Sequence, residues 1–312
     1  MAHQGLESLR FIGEAEIGAV LSWAPLIDTL EAAMTRFSAG LVEQPVRQMV
    51  PVPGQDAIIA AMPAVEAGAN GAGGAMGVKV GTLFHGNAGT DVPTHQAVIL
   101  MFDSTNGAPL AVMDGRLITE MRTAAGTAGA ARKLAVAAPD VVTIMGNGVQ
   151  ARAHAEALAT VRPIGELRLW SRNEANGRQV AEELGARYIA DAEQAVRDAD
   201  IVACTTSATE PVLDGAWLKQ GAFVASVGWN GADGRELDDA TMAHTVVVES
   251  RDAARDQAGN VRGSGCAIFA EVGEVYAGTA SVPAGATVIY DSVGIAIQDV
   301  AAAKLAYDLV TA

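Results

Sequence analysis

A run of apolar and β-branched residues, Val141-Val142-Thr143-Ile144-Met145, enters Gly146-Asn147-Gly148-Val149-Gln150-Ala151 without a break, and a segment of helical composition, Ala151–Val161, follows at once. A strand that turns on glycine into a helix is the opening unit of a parallel α/β sheet, and the spacing G-x-G-x-x-A adds a task to that geometry. The first glycine permits the tight turn, the second lets backbone approach a ligand closely, and the small Ala151 lets helix pack on strand. The helix start would present N–H groups and a positive dipole end to a pyrophosphate. These residues predict a dinucleotide site with Gly146, Gly148, Val149, Gln150 and Ala151 around the phosphates.

Short apolar strands and helices alternate around this turn. Strands are expected at Val141–Met145, Leu167–Trp170, Ile201–Cys204, Phe223–Val227, Thr245–Val248 and Val288–Tyr290, with helices at Ala151–Val161, Glu174–Leu184 and Ala192–Arg197. Repeated β-α-β units predict a Rossmann-type, doubly wound parallel sheet. The texture before Arg122 differs. Leu9–Ala39 has helical periodicity and Gly40 to end it, whereas Ile58–Met62, Met76–Leu83 and Ala97–Phe102 are strand-like. Asn106-Gly107 reads as a hairpin turn between Val98–Phe102 and Leu110–Met113. The chain of 312 residues thus divides into a mixed α+β domain over 1–122 and a dinucleotide-binding domain over 123–294 that opens with the alanine-rich helix Thr123–Val136. The helix Ile295–Val310, within 295–312, is expected to pack back on the first domain.

Composition removes other classes. Lys plus Arg number 21 against 36 Asp plus Glu, a net charge of −15, which is the wrong sign for gripping nucleic acid or an anionic membrane surface. Half the residues are hydrophobic and 18% are charged, as in a well-buried globular protein. Cys204 and Cys266 read as reduced, buried thiols. The longest uncharged run, between Glu274 and Asp291, contains Pro283 and several glycines, so no membrane helix is expected. The start of the sequence lacks a signal-peptide pattern, and the expected location is the cytoplasm. His85, His95, His154 and His244 show no metal-ligand spacing, so no metal is expected.

After the strand Leu167–Trp170 come Ser171-Arg172-Asn173, where an NAD-preferring site usually offers an acid to the ribose 2′-hydroxyl. Arg172 with Ser171 and Asn173 would suit a 2′-phosphate, which points to NADPH with NADH still possible. Glu174 supplies the missing acid if the register differs. The carboxyl ends of further strands, at Thr205-Thr206, Ser226-Val227-Gly228 and Ser292-Val293-Gly294, are where ligands lie on such sheets.

Three cations sit among apolar neighbours: Arg47 in Val46-Arg47-Gln48-Met49, Lys79 in Gly77-Val78-Lys79-Val80, and Arg122 in Met121-Arg122-Thr123. On a strand, Val78 and Val80 point to one face and Lys79 to the other. Convergence of the three on one cleft would bind a carboxylate. For any one of them taken alone, a salt bridge to one of the 36 acids is the better reading.

Over nearly its whole length the chain resembles the ornithine cyclodeaminase/mu-crystallin family. The resemblance rests on Gly77-Val78-Lys79-Val80, Pro93-Thr94-His95-Gln96-Ala97, Phe102-Asp103, Ile118 to Ala125, Gly146 to Ala151, and Asp291-Ser292-Val293-Gly294-Ile295-Ala296. It implies a dimeric NAD(P)-dependent enzyme with a split first domain for substrate and dimerisation, Arg47, Lys79 and Arg122 at a substrate carboxylate, and Thr123 among the cofactor residues. Cyclodeaminases of the family carry an aspartate to handle the substrate amine, and that position falls here on Asn230, with Asp233 three residues on. An amide has no basic site for an ammonium proton. The resemblance therefore implies a reductase of small cyclic imino acids, with Lys79 and Asn230 at the reacting centre. A cyclodeaminase, an alanine-type amino-acid dehydrogenase and a non-catalytic NADPH-dependent ligand carrier remain the alternatives.

Overall fold

The segment expected as one helix from Leu9 to Ala39 is three elements: β1 (Arg10–Ile12), α1 (Glu14–Val20) and α2 (Trp23–Ser38). Pro25 is the reason. In a continuous helix its ring would meet the carbonyl of Leu21, whereas in the first turn of α2 its missing N–H goes unneeded. Gly40, at φ +73°, ends α2 where its N–H reaches the Phe37 carbonyl and that of Leu41 reaches Arg36. The computed structural model describes residues 9–68, 74–228 and 233–312. They form two compact units, one of the described residues up to Arg122 with Ile295–Ala312, the other Thr123–Gly294.

The first unit continues through β2 (Val42–Glu43), β3 (Gln48–Pro51), β4 (Ala57–Glu66), β5 (Ala75–Phe84), β6 (His95–Phe102) and β7 (Pro109–Asp114) into α3 (Gly115–Leu134), within which the second unit begins. The sheet order is β1-β7-β6-β5-β4-β2 with β3 also on β4; β1 runs parallel to β7 and the other pairs are antiparallel. The turn at Asn106-Gly107 lies in a wider loop whose ends close through Asp103 N–H to the Ala108 carbonyl, with Gly107 at φ +78°.

The second unit follows as β8 (Val141–Met145), α4 (Val149–Val161), β9 (Glu166–Trp170), α5 (Glu174–Glu183), β10 (Arg187–Tyr188), α6 (Ala192–Val196), β11 (Ile201–Cys204), β12 (Phe223–Ser226), α7 (Asp239–Met242), β13 (Thr245–Val248), α8 (Arg251–Gln257), α9 (Gly259–Ser264), β14 (Ile268–Glu271), α10 (Val272–Ala277) and β15 (Val288–Asp291). All eight strands are parallel, in the order β10-β9-β8-β11-β12-β15-β13-β14. Every residue of β8, β11, β12 and β15 is buried, which is why they read as mainly apolar runs. Cys204 is buried and Cys266 partly so, and both are free thiols.

The chain then returns to the first unit as α11 (Ala296–Thr311), packed on α2 and on β4, β5 and β6. Close approach is possible because Gly77 has no side chain; a Cβ there would stand 2.7 Å from the Leu100 carbonyl and 3.4 Å from Val300. The register puts Met62, Lys79 and Ile99 in one cross-strand row on the sheet face that α11 covers. The opposite face carries Phe11, Val50, Ile59, Val65 and Val98, all exposed. Among the described residues no single helix is long and apolar enough to cross a membrane.

Candidate active site

Strand alternation turns Lys79 toward α11, and there its ammonium meets Asp299, Nζ to Oδ2 at 2.8 Å, with the Thr119 hydroxyl at 3.3 Å. Arg122, one helical turn beyond Thr119 on α3, places Nε 2.9 Å from the other oxygen of Asp299 and Nη1 3.4 Å from Gln298. Lys79 and Arg122 are 4% and 5% exposed and Asp299 is fully buried. Burial lowers the Lys79 pKa to about 8; Asp299 opposes that shift, while Arg122 and Arg47 add to it. Burial works to raise the pKa of Asp299, but Arg122 and Lys79 outweigh it and hold the carboxyl below its usual value.

The field of Arg47, from the loop between β2 and β3, acts on both Lys79 and His95. His95 lies on the same sheet face, opposite Leu83. Burial first, then Lys79 and Arg122, lower its pKa to about 4, which keeps the ring neutral at pH 7. Lys79 and Arg122 therefore meet on one carboxylate, which serves both cations and leaves an excess of positive charge there.

In the second unit, β8 is followed directly by Gly146 at φ +133°, held by its N–H on the Trp170 carbonyl at 2.8 Å. A Cβ at Gly146 would stand 2.4 Å from Thr205 Oγ1 and 2.8 Å from its carbonyl oxygen. A Cβ on Gly148 would meet nothing within 4 Å. Gly148 is also the N-cap of the 13-residue α4 and brings no capping side chain to it. Open space over backbone at an uncapped helix start is what a diphosphate requires. Val149 is exposed beside that start and Ala151 is buried under it.

Ser171, Arg172 and Asn173 do not act alike. The Ser171 hydroxyl is buried and donates to the Asn173 carbonyl at 2.8 Å; the Asn173 side chain caps α5 by accepting from Asn176 N–H. Arg172 is exposed and pairs with no acid among the described residues. Glu174, the rival acid, already accepts from Arg178 Nε and Nη2 at 2.9 and 2.7 Å.

The strand-end residues belong to a buried polar network. Thr205 binds back to the Met145 carbonyl through N–H and hydroxyl. Glu236 accepts from Thr206, Ser226 and Gly228; Asn260 donates to Ser226 Oγ and Asp291 Oδ1 at 2.9 and 3.0 Å. Glu249 accepts from the Ser292 hydroxyl and the N–H groups of Val293 and Gly294. Val227 N–H reaches the Cys204 carbonyl. Burial raises the pKa of Asp291 to about 7, with Asn260 working against the shift.

A model of the ornithine cyclodeaminase/mu-crystallin family matches residues 10–312. The chain belongs to that family. It is 42% identical over 289 residues to the ketimine reductase mu-crystallin of Mus musculus, covering 91% of each chain. A solved structure of Thermococcus litoralis Delta(1)-pyrroline-2-carboxylate reductase, in complex with NADH and L-proline, superposes with a TM-score of 0.91 at 30% identity, over 97% of this chain and 98% of that one. An archaeal alanine dehydrogenase dimer with bound NAD gives 0.89 at 28% identity, over 97% and 96%.

Of the residues that the family resemblance brought forward, Thr123 begins the second unit within α3. Asn230 lies outside the described residues. Asp233 is exposed, 3.7 Å from Arg262. Reading the sequence missed Asp299, Glu236, Glu249 and Asn260. Asp299 carried a usable signal, a lone acid within Ile297-Gln298-Asp299-Val300-Ala301.

Proposed function

We propose that this family member is an NAD(P)H-dependent reductase of small cyclic imino acids, taking Δ1-pyrroline-2-carboxylate or Δ1-piperideine-2-carboxylate to proline or pipecolate by hydride transfer to C=N. The observation that carries this reading is the buried pair of cations Lys79 and Arg122 on a single carboxylate, Asp299, with the half-buried Arg47 acting on Lys79 through its charge. Such a site has positive charge to spare in a chain of net charge −15, and a small anion is its natural ligand. The ketimine reductase and pyrroline-2-carboxylate reductase among the relatives favour the same class.

Arg47 and Arg122 hold the substrate carboxylate. Arg122 offers Nη2, because Asp299 takes Nε and Gln298 takes Nη1. Lys79, with its pKa at about 8, is largely protonated at neutral pH and passes its proton to the imine nitrogen, which makes the C=N carbon more electrophilic and leaves the lysine as the neutral amine. When bound, the nicotinamide cofactor supplies the hydride. Gly146 and Gly148 with the start of α4 hold its diphosphate, and Arg172 favours a 2′-phosphate, hence NADPH over NADH. Asn230 stands in the sequence where a cyclodeaminase has an acid, which favours reduction over ammonia release.

The exposed apolar sheet face around Phe11, Ile59 and Val98 favours a homodimer. Light scattering should give twice the chain mass of 31.9 kDa; a monomer would sink that part. The reaction itself is tested by a panel of cyclic imino acids and ornithine followed at the NADPH absorbance. Stoichiometric oxidation with an imino acid is expected. Ammonia from ornithine without net oxidation would make the chain a cyclodeaminase, and ligand binding without turnover would make it a carrier.

A further inference from the structure

We propose that Asp299 is the positioning residue of this site, a buried carboxylate that carries Lys79 on one oxygen and Arg122 on the other and thereby holds Lys79 as an ammonium and fixes both side chains as one unit for a substrate carboxylate. The proposal rests on the reductase reading only for the identity of the ligand.

The geometry is specific. Oδ2 takes Lys79 at 2.8 Å and Oδ1 takes Arg122 Nε at 2.9 Å, so neither cation can rotate away without leaving a buried carboxylate oxygen bare. Gln298, the neighbouring residue, is fixed by accepting from Ile295 N–H at 3.1 Å, and it also receives Arg122 Nη1. Two consecutive residues in the first turn of α11 therefore set the guanidinium plane. That turn is a suitable place for a carboxylate, since the helix dipole is positive there.

The charges make Asp299 necessary. The groups facing Lys79 are Asp299 from α11, Arg122 and Thr119 from α3, Arg47 from the β2–β3 loop and, two rows along the sheet, neutral His95 from β6. Of these charged groups, Asp299 alone is an anion. Without Asp299, burial and repulsion act together to remove the Lys79 proton. A second acid, conversely, would cancel the positive excess that draws an anion.

The chain has four lysines, Lys79, Lys133, Lys219 and Lys304, so the titration of Lys79 can be followed by NMR after 13Cε-lysine labelling. In Asp299→Asn the Lys79 midpoint should fall by at least about one pH unit from the wild-type value. Calorimetry with pyrrole-2-carboxylate at pH 7, on the protein saturated with NADH, should show at least about tenfold weaker binding. Asp299→Glu should restore the midpoint and recover only part of the affinity, because the charge returns but the placement does not. A folded Asp299→Asn variant with unchanged midpoint and affinity would overturn the proposal. If Asp299→Asn fails to fold, Asp299→Glu decides, and wild-type affinity in that variant overturns it. If no imino acid is reduced by the wild type while the Lys79 midpoint still responds to Asp299, the substrate reading fails and the role of Asp299 stands.

Discussion

The buried carboxylate of Glu236 accepts both the backbone N–H and the hydroxyl of Thr206, at 2.7 and 2.6 Å. It also accepts Ser226 Oγ at 2.8 Å and Gly228 N–H at 2.9 Å, so one side chain ties the segment after β11 to the segment after β12. Four donors need two acceptor oxygens, and an amide presents only one. Glu236→Gln should therefore cost about 1–3 kcal/mol in urea unfolding and weaken NADH binding, read by fluorescence, at least tenfold. Unchanged stability together with unchanged affinity would show that the network does not shape the cofactor site.

Gly146 and Gly148 should fail in different ways. Alanine at Gly146 meets Thr205 and an unfavourable φ, so Gly146→Ala should lower the melting temperature. Alanine at Gly148 meets no protein atom within 4 Å, so Gly148→Ala should melt like the wild type and yet lose dinucleotide affinity at least tenfold. Retained affinity in Gly148→Ala would place the diphosphate elsewhere.

Among the described residues Arg172 pairs with no acid, and Glu174 is taken by Arg178, which supports the arginine as the group proposed for a 2′-phosphate. A charge-assisted bond of this kind is worth about 1.5–3 kcal/mol. Arg172→Ala should raise KM for NADPH at least tenfold and leave that for NADH nearly unchanged. Equal losses with both cofactors would remove Arg172 from that role.

Acid should destabilise the fold through its buried histidines. His154 sits between α3 and α4 with Nδ1 2.8 Å from the Gln150 carbonyl and Nε2 3.0 Å from Thr127 Oγ1, and burial lowers its pKa from 6.5 to about 4. Between those values the unfolded chain binds a proton that the folded chain does not. The contribution is thus intact above pH 6.5 and is lost as pH falls toward 4, by up to about 3 kcal/mol. His95, lowered to about 4 by burial and by Lys79, acts in the same direction. Urea midpoints measured from pH 7 down to 4 should fall, and the fall should be shallower in His154→Gln. An equal slope in the variant would count against His154.

Much of the second unit was legible because its strands are buried on both faces. Val141–Met145, Ile201–Cys204 and Thr245–Val248 are continuous apolar runs bounded by polar residues or glycine, and the structure places strands at those residues. β10, two residues long, is too short to carry a period, and β14 ends in the acid Glu271. The division of Leu9–Ala39 was visible in Pro25 but masked by an apolar spacing that runs through it. Charges among apolar neighbours marked Arg47, Lys79 and Arg122. Their common partner was not legible from spacing, since Arg122 and Asp299 are 177 residues apart and only the return of α11 joins them. Glu249, directly after Val246-Val247-Val248, carried the same mark as the cations.

That separation has a consequence for the order of events on the ribosome. At roughly 5–20 residues per second, Asp299 emerges some 9–35 s after Arg122, and until then the first sheet has neither its covering helix nor the anion for its two buried cations. The second unit is continuous in the chain and has all its strands before α11 exists. Chain order therefore lets the later-made unit close first, while the earlier-made one lacks the segment that covers Lys79 and Arg122 until α11 has been made.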